Sequence, residues 1–150
     1  MAIIVAFDIG GVIVDKMTRK PFKEALMSIK LFVEKLGKKN VFILSKAKNK
    51  WILLNLKLFD DINFYKYTGV LIKNIIFVDE YIDKQTICKK HNINYMIDDS
   101  VKVIRFMQSI DTVAIWFGNH NKIIDDDVNI IYKKAKTWKH IRKILNKIIN

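Results

Sequence analysis

Asp8 ends an apolar run, Ala2 to Phe7, and Gly10 and Gly11 follow it, so a carboxylate sits where a buried strand breaks into a tight turn. A carboxylate in that place can serve as a nucleophile or a metal ligand. Ser45 follows Val41 to Leu44 in the same way, and the pair Asp98-Asp99 follows Tyr95 to Ile97. If the three runs are parallel strands, these groups share one carboxyl edge, and ligands of open α/β sheets bind outside that edge. Carboxylates with no histidine or cysteine ligand set favour a hard, oxygen-seeking cation, and few ligands with room for water favour magnesium. Beside such a cation Asp8 could attack phosphorus, while the Ser45 hydroxyl and the Lys84 ammonium hold the non-bridging oxygens as charge builds.

The elements that must position these groups follow from periodicity. The Ala2 to Phe7, Val41 to Leu44, Asn74 to Val78, Tyr95 to Ile97 and Val113 to Phe117 runs are apolar at nearly every position, which suits parallel strands covered on both faces. Between them, helical spacing is expected from Pro21 through Leu36 to the stop at Gly37, through Trp51, Leu54 and Leu58, over Ile82 to His91, over Val101 to Ile110, and over Trp138 to Ile149. The alternation predicts an α/β fold, a three-layer doubly wound parallel sheet of about five strands in one domain spanning residues 1–150. Asp60 to Lys73 and Gly118 to Lys136 are left as longer irregular stretches.

Composition bounds the class. A chain of 150 residues that is 51% hydrophobic can bury one compact core. The single Cys88 points to a reducing, cytoplasmic setting. No apolar run approaches the ~18 residues of a membrane span, so no membrane partner is expected. The net charge of +12 is mostly lysine and accompanies abundant Ile and Asn. An AT-rich coding sequence produces that combination, and it is the simpler account. The same charge also attracts polyanions such as nucleic acid.

Four motifs in order resemble the haloacid dehalogenase-like (HAD) superfamily of mostly aspartate-based phosphatases. They are Phe7-Asp8-Ile9-Gly10-Gly11-Val12-Ile13-Val14-Asp15, Val41-Phe42-Ile43-Leu44-Ser45-Lys46, Lys84 at the head of Asp83-Lys84-Gln85-Thr86-Ile87-Cys88, and Met96-Ile97-Asp98-Asp99-Ser100. The Ile-Asp-Asp ending is closest in texture to small nucleotidase-like members. The resemblance implies magnesium as cofactor and Asp8 as the nucleophile that forms an aspartyl-phosphate. It makes the Gly10 backbone carbonyl and Asp99 metal ligands, with Asp98 a second ligand or the residue orienting a water on the metal. Ser45, Lys84 and Gly11 would hold the phosphoryl group. Lys89 and Lys90 are rivals to Lys84, but lie at the far end of its helix.

One position departs from the pattern. Most phosphatases of this superfamily carry a second aspartate, the general acid, where this chain has Gly10. General acid–base catalysis contributes about 10²–10⁴-fold, so its loss slows hydrolysis of poor leaving groups without abolishing it. Asp15 could substitute only if the loop after Asp8 folds back. The spacing leaves no room for a full cap domain, which in this superfamily implies a large substrate or a lid supplied by another subunit. The expected substrate is a phosphorylated small molecule or nucleotide. A nucleic-acid end, or a catalytically weakened phosphate-binding module, is the alternative.

Blander roles compete at several positions. Asp98-Asp99-Ser100 could cap the helix that begins at Val101, and Ser45 could be a helix cap. Asp125-Asp126-Asp127 reads as a solvated loop. His91, His120 and His140 read as non-catalytic, with His120 nearest the expected site. Trp51, Trp116 and Trp138 read as packing before stacking platforms. A receiver domain has its acidic pair at the first strand, which does not fit, and no Gly-x-Gly-x-x-Gly follows any strand.

Overall fold

Strands that are apolar at every position need cover on both faces, and this chain supplies it by sending alternate residues to two separate cores. The computed structural model describes residues 2–121, 123–124 and 130–150. Its strands are β1 (Val5–Phe7), β2 (Val41–Lys46), β3 (Ile75–Val78), β4 (Tyr95–Asp98), β5 (Val113–Phe117) and β6 (Lys133–Ala135). The helices are α1 (Ala25–Leu36), α2 (Lys50–Asp61), α3 (Phe64–Thr68), α4 (Asp83–Lys90), α5 (Val101–Phe106) and α6 (Trp138–Ile149). All six strands are parallel, in the order β3-β2-β1-β4-β5-β6. The order reverses between β1 and β4, and Asp8 and Asp98 stand at that switch point.

Val5, Phe7, Val41, Ile43, Ile97, Ile115 and Phe117 face one core, built with Ile29 and Phe32 of α1, Phe59 of α2, Phe64 of α3 and Ile141 and Leu145 of α6. Ala6, Phe42, Leu44, Met96, Ala114 and Trp116 face the other, built with Cys88 of α4 and Val103 and Ile104 of α5. The period of two inside each strand is therefore present but hidden, because both phases are apolar.

The architecture agrees with the expected α/β doubly wound sheet, with six strands in place of about five. β6 was hidden in the stretch expected to be irregular because it is an edge strand, Lys-Lys-Ala, of which only Ala135 is buried. It is recruited by register alone, Phe117 lying opposite Ala135. The other expected irregular stretch, Asp60 to Lys73, contains α3, whose Phe64 stacks on Phe59 at 4.1 Å. These surplus residues line the core beside α1 and are not a cap. Pro21 does not open α1: it pairs with Val14 in a small bridge, and Phe22 N–H donates to Ile13 O at 2.9 Å, so the helix waits until Ala25. Among the described residues no helix is long and apolar enough to cross a membrane. Asp125-Asp126-Asp127 lie outside the described residues.

Gly10 to Pro21 form a flap over the carboxyl edge, tied down by the bridges Gly10 to Val14 and Val14 to Pro21. Trp138 anchors its base. The buried indole donates from Nε1 to Val12 O at 2.8 Å and packs 5.1 Å from Phe7 and 6.0 Å from Phe117, centroid to centroid. Trp138→Ala is expected to cost about 3–5 kcal/mol in urea unfolding, as for other buried aromatic truncations. Trp138→Phe keeps the rings and loses the hydrogen bond, so it should cost clearly less; equal losses for the two would contradict this account.

Candidate active site

Asp8 leaves the end of β1, and its own N–H donates to Ile97 O of β4 at 3.0 Å, which sets it directly beside Asp98. Two aspartates so close repel each other in a buried setting unless a cation lies between them. Lys84 is that cation. Its Nζ lies 2.6 Å from Asp98 Oδ2 and 3.3 Å from Asp8 Oδ1, and the side chain is 1% exposed. Burial opposes the ammonium, but the charges of Asp8 and Asp98 outweigh it, and its pKa ends above the ordinary lysine value. Burial, with repulsion from Asp8, raises Asp98, while Lys84 and the Ser100 N–H, 2.9 Å from Oδ1, pull it back. Asp98 is fully buried and spends one oxygen on Lys84 and the other on the turn that begins α5.

Asp99 faces the opening. Its backbone carbonyl accepts from Trp116 Nε1 at 3.1 Å, and its Oδ2 lies 2.8 Å from Lys16 Nζ. Trp116 is itself stacked by His120 at 3.9 Å, and His120 Nε2 is 2.8 Å from Phe117 O, which gives that histidine a packing role. Gly11 lets the flap backbone lie close against Asp99. Its φ is +84°, and a Cβ there would lie 2.2 Å from Asp99 Oδ2, so no side chain fits. Its N–H donates to Val14 O at 2.8 Å, so that amide is spent inside the flap instead of on a phosphoryl oxygen.

Asp8, Gly10, Lys16, Ser45, Lys46, Tyr81, Lys84, Asp99 and Ser100 line a cavity of about 150 Å³. Three lysines face two carboxylates there, an excess of positive charge that suits a phosphoryl dianion. Asp8, Asp98 and Asp99 each offer a carboxylate oxygen, all within 4.8 Å of one another, a hard donor set that fits a magnesium ion. The Lys16–Asp99 pair does not block such an ion. The Lys16 side chain is 63% exposed, and an ion pair that open is worth at most about 1 kcal/mol. Lys89 and Lys90 do not line the cavity, whereas Lys84 does.

Lys16, Lys46 and Tyr81 were missed by sequence reasoning. Lys16 and Lys46 are two lysines among many, and Tyr81 carries no motif; only the flap, the end of β2 and the turn between β3 and α4 bring them to the opening. Asp15 is not the missing acid. Its Oδ1 accepts from the N–H groups of Met17 and Thr18, both at 2.9 Å, and these bonds hold its pKa below the usual carboxylate value.

Comparison with known proteins bears on the arrangement as a whole. No protein-family model matches the sequence, and no curated protein matches it significantly. Solved structures do match. A D,D-heptose 1,7-bisphosphate phosphatase from B. bronchiseptica, complexed with magnesium and phosphate, superposes with a TM-score of 0.67 at 10% identity, over 99% of both chains. A HAD-superfamily hydrolase from Ehrlichia chaffeensis gives 0.66 at 13% identity, over 99% of this chain and 98% of the other. This chain has the HAD-like fold. A de novo designed Rossmann 3x3 protein also superposes, at 0.54, so the HAD-like sheet order alone carries no chemistry. The chemistry lies in the residues at its edge.

Within that HAD-like frame Gly11 is the most sensitive backbone position. If the three carboxylates hold magnesium, Gly11→Ala is expected to displace Asp99 and weaken that binding at least ten-fold by isothermal titration calorimetry, with the far-ultraviolet circular dichroism of the sheet retained. Unchanged affinity would mean that Asp99 takes no part in holding the ion.

Proposed function

We propose that this protein is a magnesium-dependent phosphatase acting on a phosphomonoester through an aspartyl-phosphate on Asp8. One observation carries the reading: Asp8 points into a small cavity while a buried lysine, bracketed by Asp8 and Asp98, aims its ammonium at the same space. A structural domain gains nothing from three clustered carboxylates, because each must be desolvated against its neighbours' charge. The HAD-like fold and its phosphatase and hydrolase neighbours support the assignment.

The roles follow from position. An Asp8 carboxylate oxygen attacks phosphorus, the bond from phosphorus to the leaving oxygen breaks, and the leaving oxygen takes its proton from water. Water then attacks phosphorus, releases inorganic phosphate and restores Asp8. Ser45 and Lys84 hold the non-bridging oxygens as negative charge grows on them. Asp8, Asp99 and the Gly10 carbonyl, with Asp98 behind them, would hold magnesium, which supplies the positive charge that lets one anion approach another. Lys84 Nζ lies 3.3 Å from Asp8 Oδ1 and so holds that side chain at the cavity, where its carboxylate is the nucleophile.

A second reading has its own observation. With Gly10 in the acid's place and Asp15 bonded to its own turn, no carboxylate among the described residues is poised to protonate a leaving group, so the chain could be a phosphate-binding module that has lost turnover. Phosphate release from p-nitrophenyl phosphate separates the two. Release that requires magnesium and is lost in Asp8→Asn by at least about 10³-fold supports the enzyme; phosphate binding without release supports the module. Gly10→Asp should fit, because a Cβ there meets Lys16 Cγ at an ordinary 3.5 Å. It is expected to raise kcat on alkyl phosphates, which are poor leaving groups, by about 10-fold or more, and to change p-nitrophenyl phosphate little.

A further inference from the structure

The cavity at Asp8 borders a second and larger one. Lys16 and Lys46 form a wall common to both, and beyond them Arg19, Ala47, Lys48 and Trp51 complete a groove of about 440 Å³. Among the described residues no carboxylate lines it. Trp51, in the first turn of α2, is 49% exposed, unlike Trp116 and Trp138, which are buried. The Arg19 guanidinium lies 5.7 Å from the centre of its ring and Lys50 Nζ lies 5.9 Å from it. Arg19 does not drift over this face: its guanidinium donates to Oδ1 of Asn55, a buried residue of α2, and its own N–H donates to Asp15 O at 2.8 Å with φ at +61°. Lys48 pairs with Glu80 at 3.3 Å, but both are more than half exposed, so the pair is weak and yields to a better anion.

We infer that this groove takes the nucleotide next to a phosphorylated nucleic-acid end, its base on Trp51 and its phosphate on Arg19 and Lys48, while the terminal phosphoryl group occupies the Asp8 cavity. The inference rests on the phosphatase reading for the role of that cavity and adds the substrate class. Three observations select nucleic acid. The Asp8 cavity, at about 150 Å³, has room for a phosphoryl group and its ion and not for a nucleoside. A phosphopeptide brings one phosphate, which that cavity consumes, and offers no second one to Arg19 and the weakly paired Lys48; a nucleic acid brings another phosphate with each residue. A small bisphosphate would satisfy the cations but leave the open indole face unused, whereas a base stacks on it whatever its identity. The excess of +12 over the chain then adds steering toward a polyanion.

The test uses short oligothymidylates carrying a 3′- or a 5′-phosphate, with fluorescein at the opposite end. Binding is read by anisotropy and by quenching of tryptophan fluorescence, on Asp8→Asn and also on the unaltered protein in EDTA, so that a folding defect in the variant does not decide the result. We expect one of the two phosphorylated strands to bind more tightly than the same strand without its phosphate, with quenching, and with affinity falling steeply as salt rises. Trp51→Ala should weaken that binding about ten-fold and remove the quenching. Lys48→Gln should reduce the salt slope by about one. Both variants should hydrolyse p-nitrophenyl phosphate as the unaltered protein does. Binding without any turnover would retain the groove while removing the phosphatase reading. Turnover of p-nitrophenyl phosphate with no quenching, with Trp51→Ala equal to the unaltered protein, or with a phosphoserine peptide bound more tightly than the strands, would overturn the groove and leave the phosphatase standing.

Discussion

A buried ammonium between two carboxylates organises the carboxyl edge of this sheet. Lys84 reaches Asp98 at 2.6 Å and Asp8 at 3.3 Å with almost no contact with water. Taking such charges out of water costs several kcal/mol for each ion, and only mutual pairing with good geometry offsets it. The arrangement is thus conditional: removing Lys84 leaves two adjacent carboxylates without their cation, at about 3–5 kcal/mol. β1 and β4 must lie side by side and in register for the triad to close, so sheet order and site electrostatics depend on each other. Asp98, which never faces the opening, is the member that fixes Lys84 in place, while Asp8 is the member left to face a ligand.

Around this triad the sheet edge divides into a rigid side and a yielding side. Asp98, Lys84, Trp116 and Trp138 are buried and fully engaged. Lys16, Lys46 and Lys48 are exposed, and their pairings with Asp99, the Tyr81 ring and Glu80 are of the kind that water and salt weaken. A charged ligand can displace the second set without disturbing the first. The flap belongs to both, since Gly11 is pinned against Asp99 by the absence of a side chain while Lys16, at the flap's outer end, stands in solvent.

Gly10 and Asp15 show how little a motif says about protonation chemistry until the backbone is in place. Asp15 lies within the first motif and looks available as an acid. Its carboxylate closes a turn on Met17 and Thr18, and those bonds favour the charged form, which has no proton to give. The open space over Gly10 is filled by nothing but the Lys16 stem.

The alternation of doubly apolar strands with amphipathic helices was legible in the sequence because burying both faces of a parallel sheet demands it, and with it came Asp8, Ser45 and the Asp98-Asp99 pair at strand ends and Lys84 near a helix start. What burial does not demand was not legible. β6 carries two lysines and is a strand only because β5 offers an unpaired edge; α3 joins the core only because α1 leaves a face for Phe64; and Pro21 is drawn into a bridge with Val14 before its helix can begin. Tertiary structure alone decided that Lys16, Lys46 and Tyr81 surround the cavity, that Gly11 serves Asp99 by lacking a Cβ, and that Arg19 and Trp51 meet beside it. Side-chain type and spacing report what each segment must bury, whereas the meeting of exposed groups from distant segments depends on strand order, which no local pattern encodes.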